Sequence, residues 1–321
     1  MAADAEALLR ASRRPLVIGM GGGGDVVGAL ATAEAMRLYD DAEPIVGGLT
    51  WERRPIDPVA GPRRVSEIEG GSELSPGVLL AGPYTRVRDR EVFFAESRMA
   101  GFLGRPTVLI DIDGGPAAIA VSLAKAIAAL DRDLTVFIDV GGDVLAQGDE
   151  PGLRSPLCDA VMLAVAQRLA AEGRPALLGV FGIGCDSELT AAEVLERLSW
   201  VAAADGLCGV RGLTDPVARR VEESLEHVPT EASAQAVRAF RGVSGTVSIR
   251  GGTRQFELTT LAAQTWFLDV TVTIAAAGRL AQALAGAASL EEANDALNAL
   301  GVQTELDLER RAPDSARRRG R

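Results

Sequence analysis

A chain of 321 residues with 44 acidic against 33 basic side chains carries a net charge of −11. That balance excludes a general nucleic-acid binder, because neutralising phosphates requires a basic surface. One histidine, His227, and three scattered cysteines without a CxxC pair exclude histidine triads, His-rich metal centres and a disulfide framework. Acid–base chemistry would then fall to carboxylates, a thiol, a tyrosine or bound water.

Pro15 opens a first strand, Leu16–Met20, which stops at Gly21-Gly22-Gly23-Gly24-Asp25, and apolar spacing predicts a helix over Asp25–Leu38. Ile45–Leu49 reads as a second strand. It is followed by a long irregular segment, Thr50–Glu69, whose Trp51, Glu52 and Arg53 sit directly at a strand end; loops this long in compact domains are usually functional or disordered, and here we expect function. Val78–Leu80 is a short strand, Phe93–Leu103 a helix and Thr107–Asp111 a strand running into Asp113-Gly114-Gly115. A helix over Pro116–Leu130 precedes the strand Leu134–Val140, which ends at Gly141-Gly142-Asp143. The loop Asp143–Pro151 leads to a helix over Ser155–Ala171, with Pro156 at its first position. The strand Ala176–Phe181 ends at Gly182-Ile183-Gly184-Cys185-Asp186, and Thr190 with Glu193 forms a capping-box pattern opening a helix to Ala204.

Beyond Gly206 the texture changes. Asp215–Glu226 and Ala232–Phe240 are helical, Thr246–Arg250 and Arg254–Leu258 form a hairpin across Gly251-Gly252-Thr253, and Trp266–Val272 is a strand. Two apolar helices, Ile274–Leu284 and Leu290–Leu300, precede a basic tail, Ala312–Arg321, expected to be disordered. Alternating helices and near-continuously apolar strands predict an α/β fold: one Rossmann-like domain through residue 311, with a mainly parallel sheet, helices on both faces and a C-terminal elaboration containing a β-hairpin. No apolar run approaches the ~18 residues of a membrane span, and the first residues lack a leader pattern. A cytoplasmic protein without a membrane partner is expected.

Four strands thus end in glycines beside an aspartate, and in an open α/β sheet the carboxyl ends of parallel strands share the edge where ligands bind. Gly19–Gly24 satisfies G-x-G-x-x-G in a strand–helix context, so the backbone of Gly21, Gly22, Gly23 and Gly24 could hold an anion. Against plain NAD(P) binding, no acid directly follows Ile45–Leu49, and Asp25 sits at the helix start. Asp25 is either a helix cap or a ligand and metal contact. Asp111 and Asp113 flank Ile112, and Asp139 likewise ends its strand; clustered carboxylates need a Mg²⁺-like cation, an arginine or raised pKa values. The expected site therefore assigns catalysis to Asp25, Asp143, Glu52 and Glu150. Asp25 and Asp143 would also hold a metal, and Arg53 and Arg154 would clamp an anion. Asp113, Gly141, Gly142, Ser155, Gly184, Cys185 and Asp186 complete the ligand contacts, and Trp51 would stack on the ligand. Trp200 and Trp266 lie in apolar periodic runs and are expected in the core, and His227 at a helix end on the surface.

The stretches Gly21–Ala31, Gly47–Arg53, Leu109–Asp113, Asp139–Ala146, Gly148–Pro156 and Gly182–Thr190 resemble the "domain of unknown function 1152" family of archaea and bacteria over about Pro15 to Asp269. Ser187 stands where the family pattern leads one to expect glycine. The resemblance carries no activity with it, but implies that these loops belong together. The expected function is a cytoplasmic enzyme that takes a nucleotide-like or other small polar metabolite, using carboxylates or a divalent cation such as Mg²⁺ for transfer, hydrolysis or elimination. An NAD(P)-dependent oxidoreductase and a non-catalytic metabolite sensor are the alternatives. Oligomeric state is left open, a homo-oligomer included.

Overall fold

The computed structural model describes residues 4–54 and 56–311; the tail expected over Ala312–Arg321 lies outside them. In chain order the elements are α1 (Ala5–Ala11), β1 (Pro15–Gly19), α2 (Asp25–Tyr39), β2 (Ile45–Leu49), β3 (Ile68–Ser75), β4 (Val78–Val87), α3 (Ala95–Leu103), β5 (Thr107–Ile110), α4 (Gly115–Ala129) and β6 (Leu134–Val140). They continue as α5 (Pro156–Ala171), β7 (Ala176–Phe181), α6 (Ala191–Ala203), β8 (Leu207–Gly212), α7 (Asp215–Leu225), α8 (Glu231–Phe240), β9 (Gly245–Ile249), β10 (Arg254–Leu258), β11 (Gln264–Leu268), α9 (Val270–Ala277), α10 (Arg279–Ala283), α11 (Leu290–Ala299) and α12 (Glu305–Arg311).

A nine-stranded sheet runs in the order β3-β4-β5-β2-β1-β6-β7-β11-β8. Its centre, β5-β2-β1-β6-β7, is wholly parallel, and every residue of β1, β5 and β6 is buried. Strands covered on both faces read as continuous apolar runs, which is how these segments look in the sequence. One face packs against α2, α7 and α8 through Val26, Leu30, Val217 and Val237, the other against α4, α5 and α9 through Leu123, Val161 and Ile274. Taken in chain order, the parallel strands stand as 3-2-1-4-5. The strand order reverses between β1 and β6, the topological switch point where ligands bind in doubly wound sheets.

The sheet's margins depart from the sequence expectation. The short strand at Val78–Leu80 is one arm of a hairpin, β3–β4, whose other arm takes the end of the segment expected to be irregular. β3 is an edge strand whose residues 70–73 are all exposed, and so carries little apolar alternation. β8 was not anticipated either; it is an exposed edge with Gly209 and Gly212 in it, and glycine weakens any strand signal. β9 and β10 form the expected hairpin as a separate two-stranded sheet. Trp200 is more than a third exposed, with the Arg197 guanidinium 4.1 Å from its ring centre; Trp266 is half-buried and packs against the core. His227 is exposed just beyond α7. Among the described residues no helix is long and apolar enough to cross a membrane.

Candidate functional site

A cavity of about 550 Å³ opens at the carboxyl ends of β1 and β6. Gly21–Gly24, Asp25, Glu52, Arg53, Asp143, Ser155 and Asp186 line it, so loops distant in sequence meet there. β6 explains part of the convergence. Val136, Ile138 and Val140 join the core on one face and Phe137 the core on the other. Period-two alternation places Asp139 on the face of Phe137, beneath α5. There it meets Asp159 from the first turns of that helix. Oxygens of Asp25, Asp139 and Asp159 lie within 4.8 Å of one another, and those of Asp143, Asp186 and Glu188 form a second such group.

Asp139 and Asp159 are almost fully buried. Neither oxygen of Asp139 has a hydrogen-bond partner, and Oδ1 of Asp159 has none. Burial pushes Asp139 up to about 7, against partial relief from Asp143 and the Gly142 amide. Burial, then the charge of Asp139, pushes Asp25 up to about 8, although Gly21 N–H donates to its Oδ2 at 3.0 Å. Asp143, Asp159 and Asp186 are driven well above the ordinary carboxylate range by burial and by their neighbours' charges. Such a constellation needs protons or cations to balance it, and all-oxygen donor sets suit hard divalent ions.

The folded chain holds protons that the unfolded chain, with ordinary carboxylates near 3.8, has already released. Stability of the cation-free protein therefore falls as pH rises from about 4 to about 8. Thermal melts in EDTA across that window are expected to decline steadily; a rising or flat series would contradict the arrangement.

Two close approaches shape the site. Gly141 has φ 132°, and a Cβ there would overlap the carboxyl of Asp186. Gly141→Ala is expected to push Asp186 out of its group and to cost about 2 kcal/mol through strain and displacement. Urea unfolding would measure the loss. Gly24 lies so close to Thr230 that a Cβ would strike its side chain, so the N-terminus of α8 covers the turn before α2. Ser187, placed where glycine was expected, adopts φ 65°, a region that favours glycine.

Other expected contacts are engaged by partners within the protein or lie behind the cavity wall. Trp51 is fully buried; its indole N–H donates to Glu309 Oε2 at 3.0 Å and Arg53 covers its ring at 4.3 Å, so it has no free face for a ligand. Glu150 accepts from the amides of Gln147 and Gly148, each at 2.8 Å, and organises its own loop. Asp113 pairs with Arg64 at 2.9 Å. The Arg154 side chain donates to the carbonyls of Pro151 and Leu153; its backbone amide, with the amide and hydroxyl of Ser155, binds Glu188. Gly142 packs on Val194 and Gly184 on the start of α6, behind the wall. Cys185 is buried in the core and burial pushes its thiol far up, the reverse of what a nucleophile needs. Glu52 reaches the cavity, but its carboxylate accepts the Ala95 amide at the start of α3.

Sequence reasoning left Asp159, Glu188, Arg54 and Arg98 out of the site. Asp159 had a signal: it is the one charged residue in the otherwise apolar run Leu157–Ala166. Glu188 had none, because its role depends on a loop more than 30 residues earlier. Arg53 is held from both sides, donating to Gly21 O at 2.7 Å and lying 3.4 Å from Glu305 Oε1. Glu305 also accepts from Leu157 and Cys158 amides at 2.9 Å, closing the N-terminus of α5.

Residues 16–313 match the family described as "Protein of unknown function (DUF1152)", to which the chain belongs. No curated protein and no solved structure matches it.

Proposed function

We propose that this member of the family binds a divalent cation of the Mg²⁺ type together with a small anionic, nucleotide-like metabolite at the switch point, and uses them for carboxylate- and metal-assisted transfer, hydrolysis or elimination. The observation that carries the reading is Asp139: a buried carboxylate with two unpartnered oxygens, facing Asp25 and Asp159. A cation would supply the missing partner and, by polarising an oxygen or bound water, the electrophile. The cavity's size suits a small metabolite. Glycine backbone at its floor allows close approach, and Asp143, Asp186 and Glu188 offer a second oxygen set beside the first.

A nicotinamide dinucleotide fits the same turn less well. Gly23 N–H donates to Trp51 O at 3.1 Å, Thr230 crowds Gly24, and Asp25 stands where a pyrophosphate would lie. The test is calorimetric titration of Mg²⁺ and Mn²⁺ into chelator-treated protein. Saturable binding is expected, weakened at least tenfold by Asp25→Asn and by Asp143→Asn. Equal heats for all three proteins would remove the basis for the reading. Turnover, measured on metabolites that raise the melting point of the cation-loaded protein, separates an enzyme from a sensor.

A further inference from the structure

Most acids of the cavity come from the β6, β7 and α5 side of the switch point and from the start of α2, with Glu52 after β2 and Glu231 on α8 as the exceptions. On the β2 side the wall is basic: Arg54 follows Arg53 in the loop after β2, and Arg98 lies in the first turns of α3. Arg53 is committed to Gly21 and Glu305, yet its Nη1 is buried with no acceptor. Arg54 Nε is likewise buried without one. Among the described residues neither Arg54 nor Arg98 enters an ion pair, whereas Arg63, later in the same loop, holds Asp57 at 2.6 Å. In a protein with 44 acidic side chains, guanidinium groups left without carboxylates at a cavity wall are a distinct arrangement. The charge of Arg98 reaches the buried carboxyls of Glu52 and Glu96, but no ion pair forms and Oε1 of Glu52 accepts the Ala95 amide instead.

Resting on the cation reading above, we infer that Arg54 and Arg98 form an anion subsite for the phosphate of a phosphate-monoester substrate, with the spare Nη1 of Arg53 behind them. A monoester dianion has three terminal oxygens, enough for two guanidinium forks and a shared cation. A carboxylate has two, which one fork satisfies. Holding the phosphate on the β2 side sets the rest of the molecule against the carboxylates, where the cation would meet the reacting oxygens.

The probe is inorganic phosphate, titrated into Mg²⁺-saturated full-length protein, with acetate at equal ionic strength as the carboxylate arm. Phosphate is expected to bind and acetate to bind at least tenfold more weakly. Arg54→Gln and Arg98→Gln are each expected to lower phosphate affinity tenfold or more while leaving Mg²⁺ affinity, measured without phosphate, unchanged. That unchanged affinity also shows the variants to be folded; Arg98→Lys should retain part of the binding. Mg²⁺ binding with no phosphate binding, or with equal phosphate affinity in all variants, would overturn the subsite and leave the cation reading standing. Arginine-dependent phosphate binding without Mg²⁺ uptake would overturn the cation reading alone. Acetate binding as tight as phosphate would overturn the monoester assignment.

Discussion

Replacing Asp139 with asparagine is expected to raise the melting temperature of the cation-free protein and to abolish its response to Mg²⁺. Asp139 is 1% exposed, and neither oxygen has a partner in good hydrogen-bonding geometry, the Gly142 amide and Asp143 giving only partial relief. Its pKa moves from 3.8 to about 7, and each unit corresponds to about 1.4 kcal/mol. The ionised form therefore costs the fold up to about 4 kcal/mol at pH 8 by the same conversion. An amide removes that cost but is itself a buried polar group without partners, so a net gain of about 1–3 kcal/mol is expected. The gain should grow with pH and nearly vanish below the ordinary value of 3.8, where aspartate is protonated in both states. Differential scanning calorimetry in EDTA at pH 5 and pH 8, repeated with Mg²⁺, reads both effects. A variant less stable than the parent at pH 8 without cation would mean that Asp139 has structural partners after all.

Glu305→Ala has the opposite sign and a larger size. The carboxylate is buried, accepts two amides that would otherwise be orphaned at the start of α5, and faces Arg53 at 3.4 Å. An anion at a helix N-terminus is favourable in its own right. Removing one partner of a buried charged cluster leaves the others unsatisfied, a loss of about 3–5 kcal/mol. Arg53 would also lose one of the contacts that hold it at Gly21 O, so the turn before α2 should loosen along with the fold. Glu305→Gln keeps an acceptor for the amides and is expected to recover part of the loss. Equilibrium unfolding in urea measures both variants; a change under about 1 kcal/mol in the alanine variant would place Glu305 among exposed, weakly coupled ion pairs.

These two residues also mark the boundary of what a single sequence carries. Gly21–Asp25, Asp143 and Asp186 were legible because a strand ending in glycine and aspartate is a local pattern, and parallel strands bring their carboxyl ends to one edge. The parallel centre of the sheet was legible for a similar reason: strands buried on both faces are apolar for most of their length, with polar residues mainly at their ends. Glu305 was not legible, since its partners lie about 150 residues away. Trp51 was misread for the same cause: in a polar loop it resembles a ligand platform, until Glu309, 258 residues later, takes its N–H. Arg154 and Glu150 carry the residue types of a site, but short-range acceptors and donors in their own loop absorb them. A charged residue in a glycine-rich loop is equally suited to bind a ligand or to tie the loop together, and only the fold decides which.

Whether a cation is held among Asp25, Asp139 and Asp159 is read most plainly by anomalous diffraction from crystals of the full chain grown with Mn²⁺. An anomalous peak is expected within coordination distance of the Asp139 carboxylate, lost in Asp139→Asn crystals. Strong peaks confined to surface carboxylates, with Asp139 and Asp159 instead sharing a proton and no density between them, would contradict it.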